Sequence, residues 1–236
     1  MYWYQARLHQ RHGGLASPCR YLGFNGSTSV VSCGSDTSLD NLPDGKAITW
    51  EGWYYALSAG ESNYGALFSK GTLGSGGYRL MCANATTSLQ MQIDLATTDV
   101  NYICVLGLNL LNTWRHIAVT YDDTGDKKAR IWIDGALIGA STAGVGAYQT
   151  DAALNFTLGA RHDGALSFHG YLGWQRLSNN VRYSTTFTAP PRCALPVVDV
   201  NTTELWWFNE GSGVTVAARV GSNNNGAATD GAWGLT

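Results

Sequence analysis

Residues 112–139 read NTWRHIAVTYDDTGDKKARIWIDGALIG. Within WRHIAVTY, Ile117, Val119 and Tyr121 alternate with Trp114, His116, Ala118 and Thr120. Successive strand residues point to opposite sides of a sheet, so the first set faces a core and the second lies opposite it. A polar loop follows, and ARIWID resumes the alternation, burying Ile131 and Ile133 and presenting Arg130, Trp132 and Asp134 on the other side. Asp134-Gly135 between two apolar runs is a two-residue hairpin signal, because the turn that suits twisted strands needs positive φ at both central positions. Strand, loop, strand and tight turn together specify an antiparallel sheet with one buried face.

The same grammar extends in both directions. RYLGFNG, TSVVSC, AITWEGWYYAL, GALFSKG, GYRLMCA, SLQMQIDL and NYICVLGL precede the stretch, and LNFTLGA, SFHGYLGWQRLS and ELWWFNEGSG follow it. About a dozen short runs separated by turn residues predict an all-β sandwich or barrel. Only residues 36–42 suit a single helical turn. The 44% hydrophobic content supplies a large core, and 29 glycines against 14% charged residues suit closely spaced strands better than exposed helices. In SLQMQIDL, Leu89, Met91, Ile93 and Leu95 point inward and Gln90, Gln92 and Asp94 outward. In ITWEGWYY either phase contains a Trp, so alternation leaves its orientation open. Residues 1–19, aromatic and basic and ending in Gly-Gly and Ser-Pro, read as an arm before one domain spanning 20–236.

The 112–139 stretch, with Trp, then His-Ile-Ala-Val-Thr-Tyr-Asp, a polar loop and a strand ending in Asp-Gly, resembles the central signature of laminin-G-like domains of the concanavalin-A-like superfamily. YLGFNGSTSVV (21–31), AITWEGWYY (47–55), FHGYLGWQRLSNNVRYSTTFTAPP (168–191) and ELWWFNEGSGVTVA (204–217) resemble the same family in order. Arg-Tyr before Phe-Thr-x-Pro-Pro is similar to bacteriophage and bacterial versions. The resemblance implies an antiparallel two-sheet jelly-roll sandwich, with Ile48, Trp50, Gly52 and Tyr54 inward and Glu51, Trp53 and Tyr55 outward. It also implies a structural calcium in many relatives. Here Asn25, Gly173 and Ala218 stand where relatives tend to carry acids, which leaves that ion doubtful, since calcium takes about six to eight oxygen ligands.

A net charge of −2, without a basic block outside the arm, provides no source for nucleic-acid affinity. No apolar run approaches the roughly eighteen residues of a membrane span, and the N-terminus lacks the apolar core of a secretory signal. The five cysteines show no zinc spacing. Two readings stand: Cys19 and Cys193, both in irregular flanking segments, are bridged, or all five are small buried hydrophobes. Glycoside hydrolysis needs two carboxyl groups about 5–9.5 Å apart. Of four glutamates only Glu51 falls on the open face, with Asp94 as a conceivable partner, and His116 has no nucleophile motif beside it. No enzyme is expected.

The open face is read as gathering Glu51, Trp53, Tyr55, Gln90, Gln92, Asp94, His116, Arg130 and Trp132. Flat aromatics beside planar amides suit a glycan, and equally suit burial under a loop, the arm or a partner. Asp122, Asp123 and Asp126, and separately Asp36 with Asp40, are candidate calcium loops or backbone caps. In the arm, Tyr2, Trp3, Tyr4, Arg7, Leu8 and Arg11 match the aromatic and Arg enrichment of subunit interfaces. One short domain starting at Met1, without signal, linker or repeat, suggests a non-catalytic lectin-fold protein of an oligomeric assembly. A virion component such as a phage capsid decoration, capsid-surface or fibre protein, with capacity for surface glycans, is expected. The alternative is a stand-alone lectin or adhesin module, extracellular or at a cell surface.

Overall fold

In the computed structural model the described residues are 19–71, 74–220 and 223–235. Sixteen strands follow in order: β1 (Arg20–Asn25), β2 (Val30–Ser32), β3 (Ala47–Ala56), β4 (Ala66–Gly71), β5 (Gly77–Cys82), β6 (Ser88–Ile93), β7 (Val100–Val105), β8 (Trp114–Asp122), β9 (Arg130–Ile133), β10 (Ala136–Ala140), β11 (Thr157–Leu158), β12 (His169–Ser178), β13 (Thr202–Trp206), β14 (Thr215–Val216), β15 (Gly226–Thr229) and β16 (Ala232–Leu235). They form two antiparallel eight-stranded sheets. The first runs β10-β9-β8-β3-β12-β1-β16, with β13 also paired to β12; the second runs β14-β15-β2-β11-β4-β5-β6-β7. This is the jelly-roll sandwich expected from the sequence.

The hairpin at Asp134-Gly135 forms with φ of 51° and 86°, and it sets β9 against β8 with Ile133 opposite Ile117 and Ile131 opposite Val119. Those four residues, with Tyr121, Ile48, Trp50 and Tyr54, lie in the core. Leu89, Met91, Ile93 and Leu95 meet them from the second sheet. Trp50 crosses the interface, stacked on Phe68 at 5.2 Å and tilted against Tyr78 at 4.7 Å between ring centroids. One buried aromatic of this size removes roughly 150–250 Å² from water. At about 25 cal/mol per Å² that is about 4–6 kcal/mol before conformational entropy is charged against it.

Three details differ from the sequence reading. GAAT and AWGL, too small or too short to show a period, are strands: β15 pairs with β2 and β16 with β1, so the chain changes sheets at Asp230-Gly231. LNFTLGA shrinks to the two residues of β11 that bridge β2 and β4. The open face is two faces, since β3, β8 and β9 belong to the first sheet and β6 to the second. Glu51, Trp53, Tyr55, His116, Arg130 and Trp132 therefore lie on one outside of the sandwich, and Gln90, Gln92 and Asp94 on the other. Alternation assigns a side chain to a face of its own strand and carries no information on which sheet the strand joins.

Cys19 and Cys193 form a disulfide, and Cys33, Cys82 and Cys104 are free and buried. The residue turn at 37–39 is a 3-10 turn capped by Asp36, which accepts from the Ser38 amide at 2.9 Å. The arm residues Tyr2, Trp3, Tyr4, Arg7, Leu8 and Arg11 lie outside the described residues.

Candidate functional site

Residues 181–200, which follow β12, cross the outside of the first sheet as a strap. The Trp53 and Trp174 indoles donate to the Pro190 and Pro191 carbonyls at 3.0 and 3.2 Å. The Arg176 guanidinium donates to Val197 O at 3.1 Å, and Phe187 packs its ring on Tyr183, 3.5 Å between centroids and 7° from parallel. Gly135 serves this packing as well as its turn, because a Cβ there would lie 1.8 Å from Phe187 O.

Glu51 is the node beneath the strap. Its Oε1 accepts from Arg176 Nε at 2.8 Å, and Oε2 pairs with His116 Nε2 at 3.1 Å and accepts the Tyr183 hydroxyl at 2.7 Å. Burial pushes the Glu51 carboxyl up, but His116, Arg176 and Tyr183 together outweigh burial and hold it below the usual carboxylate range. Burial and the Glu51 charge in turn push the Tyr183 phenol up. A general acid needs a raised pKa near its working pH; this carboxylate is instead held as an anion under a lid of its own chain. Asp94, its conceivable partner, is on the opposite side of the molecule, accepting from the Ser75 and Gly76 amides at 3.1 and 2.9 Å. Trp132 is buried under the strap, 5.9 Å from Phe187 between ring centroids, and Arg130 pairs with Asp126 at the margin. Those two line, with Asp122, Val181 and Tyr183, an open cleft of about 330 Å³.

Beyond the strap the same sheet carries an aromatic cluster. Tyr21 of β1, Tyr171 of β12, Tyr55 of β3 and Trp114 of β8 are all half-buried. Ring centroids are 4.5 Å apart for Tyr21 and Tyr171, 5.3 Å for Tyr171 and Tyr55, and 5.6 Å for Tyr55 and Trp114. Arg192 stacks over Trp114 at 4.3 Å. The rings lie down over bare backbone. A Cβ on Gly234 would be 2.2 Å from the Tyr21 ring, one on Gly23 3.4 Å from Tyr171, and one on Gly173 3.7 Å from both Trp114 and Arg192. The tight neighbour of Gly173 is Trp53, whose Cβ would lie 3.0 Å from a Cβ there. Of the residues singled out from sequence only Tyr55 belongs to this cluster. The signal for Tyr21 and Tyr171 was present in Tyr21-Leu-Gly23 and Tyr171-Leu-Gly173, each a Tyr sharing its face with a Gly two residues on.

The second sheet's outer face is polar. Arg79 of β5 stands opposite Gln92 of β6, and Gln92 opposite Asn101 of β7. The Arg79 Nε donates to Gln92 Oε1, while Gln90 and Gln92 both donate to Asn101 Oδ1, at 2.7 and 3.3 Å.

The candidate calcium acids have other partners. Asp40 holds the buried Lys70 ammonium at 2.8 Å, Asp122 caps Thr124 and Gly125, Asp123 takes Lys127 at 2.7 Å, and Asp126 takes Arg130. Among the described residues no group of three or more His, Cys, Asp or Glu is placed to hold a metal ion, and no helix is long and apolar enough to cross a membrane.

No curated protein sequence matches the chain. Among solved structures, a candidate carbohydrate binding protein from Bacteroides ovatus superposes with a TM-score of 0.68 at 17% identity, covering 93% of this chain. This chain spans 60% of that protein's length. Domains LG4-5 of the mouse laminin α1 chain superpose with a TM-score of 0.51 at 10% identity, over 74% of this chain and 47% of theirs. A laminin G family model, described as concanavalin A-like lectin/glucanases superfamily, matches residues 25–186. The strand order, the hairpin at Asp134-Gly135 and this match agree: the chain belongs to the concanavalin A-like lectin/glucanase superfamily, in its laminin G branch.

Proposed function

We propose that the domain is a non-catalytic carbohydrate-binding module whose ligand stacks on Tyr21, Tyr55, Trp114 and Tyr171. The single observation that carries this reading is the contiguous cluster of four half-buried rings on one sheet face, with Tyr21 packed against the bare backbone of Gly234. A sugar's apolar face packs on such a surface while its hydroxyls reach polar neighbours, here the Arg192 and Arg115 guanidinium groups. Removing two rings, Tyr55→Ala with Tyr171→Ala, is expected to weaken oligosaccharide binding by about 1–3 kcal/mol, or roughly 5- to 150-fold. Fluorescence titration of the tryptophans against a panel of neutral oligosaccharides measures this. Binding that is unchanged in the double variant would overturn the placement.

The reading includes no hydrolysis and no resident metal. Chelation is therefore expected to leave the thermal transition where it was, and a large fall would assign a structural ion to the acidic loops. The disulfide belongs to oxidising surroundings, which agrees with a surface or extracellular setting.

A second reading makes the domain a subunit of an assembly, a virion-surface component such as a phage decoration or fibre protein. Val197, Val198 and Val200 at the end of the strap are 77%, 48% and 94% exposed, an aliphatic run of the sort that subunit contacts cover. Together with the resemblance of 182–191 to phage versions, this favours an oligomer. Light scattering on the purified chain, wild type against Val198→Asp with Val200→Asp, decides it. A wild-type monomer removes the reading.

A further inference from the structure

We propose that the outside of the second sheet is a separate binding site for a carboxylate-bearing sugar, with the Arg79 guanidinium as its anion receptor and Gln90, Gln92 and Asn101 as its hydroxyl readers. It lies on the opposite side of the sandwich from the aromatic cluster and does not depend on it.

Arg79 is 7% exposed, yet it joins no ion pair among the described residues. Its Nε donates to Gln92, and its Nη1 is buried facing no acceptor. Arg176, the other buried arginine among the described residues, is likewise 7% exposed but holds Glu51, and the less buried Arg115, Arg130, Arg161 and Arg182 hold Asp134, Asp126, Asp163 and Asp199. An arginine stays charged in a protein, and a buried charge without an opposite charge is costly.

The two carboxylates whose charge acts on Arg79 are already committed. Asp94 caps the turn at Ser75 and Gly76, and Asp163 takes Arg161 through two bonds of 2.8 and 2.6 Å. Burial presses the Arg79 pKa down, and the Arg161 guanidinium presses the same way, with Asp94 and Asp163 opposing both. A second cation near an unpaired one, with the local acids spent, is an environment that an incoming anion relieves.

The flat guanidinium fork matches a carboxylate through parallel N–H bonds. Gln92 and Gln90 continue from it across β6 toward Asn101, which is exposed on the edge strand β7. Amides present donors and acceptors together, the chemistry that reads sugar hydroxyls in either sense. A ligand entering over β7 thus meets amides first and the buried cation last.

The test is calorimetric titration of the full chain with glucuronate, with glucose as the neutral control, for wild type, Arg79→Gln, Arg79→Lys and Tyr171→Ala. In Tyr171→Ala, where the aromatic site is disabled, glucose is not expected to bind, whereas glucuronate is. Arg79→Gln is expected to weaken it about tenfold or more, the scale of a lost charge-assisted pair, with Arg79→Lys intermediate. Tyr171→Ala should leave it intact, which separates this site from the aromatic one. Because the wild-type charge is unpaired, Arg79→Gln should also melt at or above the wild-type temperature. Equal binding of both sugars to Tyr171→Ala, glucuronate binding indifferent to Arg79→Gln, or an Arg79→Gln variant that melts well below wild type would each overturn the proposal, the last by making Arg79 a support of the sheet.

Discussion

Opening the Cys19–Cys193 bridge is expected to lower the melting temperature by about 10–20 °C. The cysteines are 174 residues apart in sequence, and on a chain-entropy account a loop of that length restricts the unfolded chain by about 5 kcal/mol. For a domain of this size each kcal/mol moves the transition by about 2–4 °C. The bridge also joins the start of β1 to the strap, next to the Pro190 and Pro191 carbonyls that accept from Trp53 and Trp174. Melting with and without reductant, repeated on Cys19→Ser with Cys193→Ser, measures the effect. The remaining thiols do not confuse it: burial pushes Cys82 up to about 12 and also raises Cys33, where the Glu204 charge adds to it. A change of under about 3 °C, less than about 1.5 kcal/mol, would mean that packing alone holds the strap.

Replacing Glu51 by Ala is expected to cost about 3–5 kcal/mol, because it strands the buried Arg176 guanidinium and leaves His116 and Tyr183 without their acceptor. That corresponds to about 6–20 °C in melting temperature. The loss should be local first, so limited proteolysis ought to cut within 181–200 in the variant and spare the wild type. The pH dependence has a definite sign. The folded-state pKa of Glu51 is depressed, so its contribution is fully present above the ordinary glutamate range and is lost as pH falls through the folded value. Wild-type stability should therefore decline on acidification more steeply than that of Glu51→Gln. Parallel declines, or an intact strap in Glu51→Ala, would show that the indole and backbone bonds suffice.

The two expectations concern the segment that was least legible. Residues 181–200 have no period of two or 3.6, and three of the chain's five prolines fall in them, so nothing in their pattern says what they cover. What covers the outer face of β3 and β8 around Glu51 and Trp53 is Tyr183 meeting Glu51 across 132 residues and Pro190 meeting Trp53 across 137. Contacts of that span leave no local trace.

The sequence by itself determined the fold class, the strands of 112–139 with their turn, and the inward side of β6, β8 and β9, because a side-chain period of two is a local property and burial must follow it; β3, with Trp in either phase, was oriented only by the family resemblance. The sequence left open the state of Cys19 and Cys193, and it merged two outer faces into one. Only the tertiary structure decided which sheet each strand joined, and with it the separation of Glu51 and His116 from Gln90, Gln92 and Asp94. It alone brought Tyr21, Tyr55, Trp114 and Tyr171 together from four strands, and left Arg79 buried without a carboxylate. The physical reason is the same in each case: alternation orients a residue against its own strand, whereas neighbours across strands are set by pairing and chain reversal, which depend on the whole core.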